Sequence, residues 1–108
     1  MDIVIANAFS LNMIRLDRVA HVQVVPTDAD FVKDLIEASE GFESVVGHAD
    51  TAAVFSSLLG WTVPCNRATF TLVPGTTLVV GQYKGPRLPE GAKTLPEGAT
   101  VEWIIVTI

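Results

Sequence analysis

Four apolar residues in succession, Ile3-Val4-Ile5-Ala6, lie almost at the start of the chain. So short a run, with no polar residue in it, suits a strand covered on both faces better than one with a wet face. Such a strand needs chain packed on either side of its sheet, and the next segments offer candidates. After Pro26, Thr27 reads as the cap of a helix in which Phe31, Val32, Leu35, Ile36 and Ala38 recur at three- and four-residue intervals. Asp28 and Asp30 suit its first turn, and Gly41 ends it. A second helix starts near Asp50 or Thr51, turns Ala52, Phe55, Leu58 and Leu59 inward and stops at Gly60. Val19 to Val25 alternates as a one-faced strand does, and Val101 to Ile108 reads as a closing strand. Thr69–Val73 and Thr77–Tyr83 flank Pro74-Gly75-Thr76 and read as a hairpin. The Pro/Gly-rich stretch from Gly85 to Gly98 is either a mobile lid or plain connection. Interleaved strands and helices predict an α/β fold: a single small domain over residues 1–108, a mostly mixed β-sheet with flanking helices.

Composition narrows the function classes. With 49% apolar and 18% charged residues over 108 positions, the chain is expected to fold as one globular domain. No apolar run approaches the ~20 residues that span a bilayer, and no basic, apolar leader opens the sequence, so a soluble, cytoplasmic protein is expected, with no membrane partner. A single cysteine, Cys65, allows no internal disulfide and is read as a buried or inert thiol. A net charge of −5, with only seven Lys and Arg, argues against long nucleic acid, whose affinity comes from many neutralised phosphates. A small anion needs only a few converging donors and stays open.

Four segments carry polar residues that a purely structural sequence does not need: Asn7-Ala8-Phe9-Ser10-Leu11-Asn12-Met13, Gly47-His48-Ala49-Asp50-Thr51-Ala52, Asn66-Arg67, and Gln82 followed by Pro86-Arg87-Leu88-Pro89-Glu90-Gly91. In this order and spacing they resemble, over essentially the whole chain, the small viral and bacterial anti-CRISPR ring nucleases. These enzymes degrade the cyclic tetra-adenylate messenger of type III CRISPR immunity. The resemblance implies a homodimer with the ring on its two-fold axis, cleavage without metal or other cofactor, and linear di-adenylate products. It also implies a host-cell cytoplasmic setting if the gene is viral. Pro86 and Pro89, which stiffen the last loop, depart from the family pattern.

Residue by residue the chemistry has two readings. His48 precedes a helix N-terminus, where free N–H groups and the helix dipole attract a phosphodiester. It is either a simple cap or a general acid that a bound phosphate arms. RNA brings its own nucleophile, the 2′-hydroxyl, so the protein need supply only geometry, charge stabilisation and a proton. Arg87 matches phosphate oxygens, and the resemblance gives Glu90 a supporting catalytic role; the alternative is an Arg87–Glu90 ion pair on a solvated turn. Asn7, Ser10 and Asn12 either read ribose and adenine edges or satisfy a turn, while Phe9, Leu11 and Met13 are expected in the core. Gln82, in step with Leu78 and Val80, is read as an inward amide partnered by ligand or by backbone. Gly47 belongs to the binding step, and Arg67 is a phosphate contact or a surface charge.

Other chemistries lack their residues. His48 and Asp50 fall short of a metal set, Trp61 and Trp103 read as core or interface, and neither a P-loop nor a dinucleotide fingerprint occurs. The rival to catalysis is a sponge that sequesters the messenger, and beyond it a structural interaction protein. His48 with Glu90 separates them, because a sponge needs no proton donor.

Overall fold

The apolar opening becomes the strand on which the sheet is built, in a computed structural model that describes residues 2–108. In chain order the elements are β1 (Asp2–Ala6), β2 (Gln23–Thr27), α1 (Ala29–Glu37), β3 (Glu43–Ser44), α2 (Ala49–Leu59), β4 (Thr76–Lys84) and β5 (Thr100–Thr107), with a short 3-10 turn at Leu11–Met13. The sheet order is β2-β5-β4-β1-β3. β1 runs parallel to β4 and to β3, whereas β5 is antiparallel to both β4 and β2. This is the expected α/β domain with a mixed sheet; Met1, the first residue of the expected 1–108 domain, lies outside the described residues.

Both helices cover one face. Ile3, Ile5, Val79 and Trp103 pack there against Val32 and Ile36 of α1 and Ala52, Phe55 and Leu59 of α2. On the other face Val4, Ala6, Leu78, Val80 and Val106 lie beneath Leu72 and the partly buried Phe9, Met13, Val22 and Phe70, which belong to chain outside the α-helices and strands. β1 is thus buried on both sides, by two different kinds of layer. At Gly81 an added Cβ would stand 2.6 Å from Phe55 and 2.7 Å from Trp103, whose rings pack with centroids 4.9 Å apart. Only a hydrogen side chain lets these rings sit against β4.

Several expectations are corrected. Thr69–Val73 is not half of a hairpin, because β1 and β5 occupy both edges of β4. The segment instead crosses the helix-free face, where the Leu72 N–H donates to the Met13 carbonyl at 2.7 Å. The strand expected over Val19–Val25 lies at Gln23–Thr27; it takes in Pro26, which the sheet tolerates because β2 is an edge. The cap of α1 is Asp28, whose carboxylate accepts from the Phe31 N–H at 2.9 Å; the helix ends at Ala38, before Gly41. Leu11 is not core: it sits on the 3-10 turn, 67% exposed, because only Phe9 and Met13 on either side reach the sheet. Cys65 is exposed as well.

Candidate functional site at the carboxyl ends of the parallel strands

Because β1, β3 and β4 are parallel, the residues following them emerge at one end of the sheet, the place where open α/β sheets present ligand-binding groups. Asn7 follows β1, Gly47 and His48 lie between β3 and α2, and Gly85 to Glu90 follow β4. The Gly47 N–H donates to Asn7 Oδ1 at 3.4 Å, tying the first of these segments to the second. Arg67 lies against the same step, with its Cγ 3.6 Å from where a Cβ of Gly47 would stand. Arg67 is held there by its neighbour: the Asn66 N–H donates to the Val46 carbonyl at 2.8 Å, and the Asn66 side chain donates to the Ser44 carbonyl at 2.8 Å.

His48 is the N-cap residue of α2, but its imidazole makes no capping hydrogen bond. Its carbonyl accepts the first helical bond, from the Ala52 N–H at 2.9 Å, and the residue itself is exposed and lines a cleft of about 790 Å³. Arg87 and Glu90 line that cleft, together with Asp50, Thr51, Tyr83 and Leu88. Arg87 and Glu90 form no ion pair with each other among the described residues, so the solvated-pair reading of this loop is not what forms. A helix N-terminus, a free guanidinium, an imidazole and a carboxylate thus share one open space. Together they can hold a phosphate and move a proton beside it.

The remaining candidates are spread out. Ser10 and Asn12 are exposed around the 3-10 turn, where the Ser10 carbonyl accepts from the Met13 N–H, and neither lines the cleft. Gln82 is corrected from inward to exposed: it stands opposite Glu102 on the sheet face away from Tyr83, beyond the reach of the layer that covers Leu78 and Val80. One cleft residue, Tyr83, was not singled out in the sequence, and another, Asp50, was weighed only as half of an incomplete metal set. Tyr83 alternates in step with Val79 and Gly81 and donates from its hydroxyl to the Pro86 carbonyl, while Asp50 accepts from the Gly91 N–H at 3.1 Å. Strand parity was the available signal for Tyr83. Among the described residues no group of three or more His, Cys, Asp or Glu is placed to hold a metal ion, and no helix is long and apolar enough to cross a membrane.

No curated protein matches the chain significantly. Among solved structures it is similar to B116 of Sulfolobus turreted icosahedral virus (STIV), with a TM-score of 0.79 and 19% identity over 100% of both chains. That likeness reproduces the whole fold. The family model described as STIV B116-like matches residues 3–100, so the chain belongs to the STIV B116-like family.

Proposed function

We propose that this chain is a metal-independent ring nuclease that cleaves cyclic tetra-adenylate to linear di-adenylates ending in 2′,3′-cyclic phosphates. The reading is carried by one observation: His48, whose imidazole is unused as a cap, lines the same cleft as Arg87 and Glu90 at the N-terminus of α2. The sequence resemblance to the anti-CRISPR ring nucleases supplies the substrate. In the proposed step a ribose 2′-oxygen attacks its own phosphorus in line and the bond from phosphorus to the 5′-oxygen breaks. The 2′-hydroxyl proton leaves to bulk water as its oxygen attacks, and His48 gives the departing 5′-oxygen a proton that it regains from solvent afterwards. Arg87 and the α2 N–H groups stabilise the phosphorane charge, and Glu90 orients the acid or the hydroxyl. Neither water nor an added nucleophile enters.

Cutting a ring of four nucleotides into two equal halves takes two cuts at opposite phosphates, which a homodimer with the ring on its axis makes with two copies of His48. The stretch from Leu11 to Val25 exposes Leu11, Leu16, Val19, Val24 and Val25, apolar surface of the kind that subunit contacts cover. The similarity to a viral protein favours a role in blocking type III CRISPR signalling inside the host cell. The test is to incubate wild type and His48→Ala with an excess of the cyclic ring and follow products. The proposal expects many turnovers by wild type and retained binding with lost cleavage in the variant. Stoichiometric capture without products would identify a sponge, and equal rates would remove His48.

A further inference from the structure

Asp50 takes no part in the chemistry just proposed, yet it makes a long-range contact at the cleft. Residues 85–98 contain no buried position, so this strap has no anchor in the core. Its two ends meet, because a Cβ on Gly85 would lie 2.7 Å from that of Ala99. Beyond that closure, hydrogen bonds from two side chains outside the strap hold it: the Tyr83 hydroxyl donates to the Pro86 carbonyl near its base, and the Gly91 N–H donates to Asp50 Oδ1, 41 positions away, at 3.1 Å. Gly91 has φ +80°, a left-handed backbone that glycine adopts without strain and that turns the strap at this amide, immediately after Glu90. Asp50 stands in the first turn of α2, two residues after His48.

We infer that Asp50 is a positioning residue: by accepting the Gly91 N–H it fixes the strap to α2 and so sets where Glu90 and Arg87 stand relative to His48. This rests on the ring-nuclease reading of the cleft. A surface strap without a core anchor samples open positions freely, and catalytic groups displaced by about 1 Å cost on the order of 10²-fold in rate. The role belongs to the acceptor oxygen and not to the charge. Asparagine keeps an oxygen at that place while losing the negative charge that favours a helix N-terminus.

The experiment uses Asp50→Ala and Asp50→Asn in the full chain, with amide hydrogen exchange on the ligand-free proteins and steady-state cleavage of cyclic tetra-adenylate. Asp50→Ala is expected to speed exchange at Gly91 and its strap neighbours by roughly 10-fold or more, as expected for local opening, with the strands unaffected. It is also expected to lower kcat by about 10- to 100-fold with a smaller change in KM. Asp50→Asn is expected to restore both to within about threefold, which loss of helix-end charge would not allow. Unchanged exchange in Asp50→Ala overturns the latch. Faster exchange with unchanged kcat overturns positioning, as does an asparagine variant as impaired as the alanine one. If wild type itself leaves the ring intact, the ring-nuclease reading has failed and the catalytic role of Asp50 falls with it, whereas the exchange data still decide whether the strap is latched.

Discussion

Two hollows of nearly equal volume open at opposite ends of the same sheet. One, about 790 Å³, lies beyond the carboxyl ends of the parallel strands; the other, about 800 Å³, lies beyond their amino ends, lined by Asp2, Ile3, Leu35, Ser39, Glu40, Phe42, Glu43, Phe70 and Thr76 among others. Size does not separate them, but sign does. The first receives the positive end of α2 together with His48 and Arg87, with Glu90 as its free carboxylate because Asp50 is engaged with Gly91. The second receives the negative end of α1 and three carboxylates, with no basic residue among its lining. In an acidic chain, the helix that points its N-terminus at a space decides which hollow suits a phosphate.

That contrast can be broken in graded steps. The largest effect is expected from His48→Ala, which should slow ring cleavage by about 10²–10⁴-fold, the range of a positioned acid, while changing binding by only a few fold. Arg87→Ala should weaken ring binding by roughly 10-fold, the low end for a charge-assisted hydrogen bond at an exposed site, as read by calorimetric titration. Gly81→Ala acts on both ends at once, since Phe55 and Trp103 must move; it should cost about 1–3 kcal/mol, seen as a lower melting temperature. Glu40→Gln with Glu43→Gln at the other hollow should change stability by less than about 0.5 kcal/mol and leave ring binding within twofold. A large binding effect from that last pair would erase the distinction between the two ends.

The same contrast shows what a linear sequence displays. β1, both helices and β5 were legible because each is marked locally: β1 by an unbroken apolar run, the helices by apolar residues at three- and four-residue intervals, and α2 also by Gly60, which ends it at φ +74°. The partner of β4 was not legible: its neighbour is β1, more than 70 positions away, and no local pattern distinguishes parallel pairing from a hairpin around Pro74-Gly75. β3 is two residues long and carries no period at all. At the site, position beside a helix start or in a stiff loop drew attention to His48, Arg87 and Glu90, but only the resemblance to the ring nucleases set their functional readings above a simple cap and a solvated ion pair. Asp50 was weighed only as half of an incomplete metal set, because its bond to Gly91 exists only once the strap has folded back. Gln82 drew attention as a polar residue in an apolar strand, but the covering layer stops short of it and the amide is exposed.

The most direct test is a crystal structure of the His48→Ala protein bound to intact cyclic tetra-adenylate. Ring phosphates are expected within hydrogen-bonding distance of Arg87 and the first-turn N–H groups of α2, with position 48 facing a 5′-oxygen. A ring seated in the carboxylate-rimmed hollow, or anywhere away from the start of α2, would contradict it.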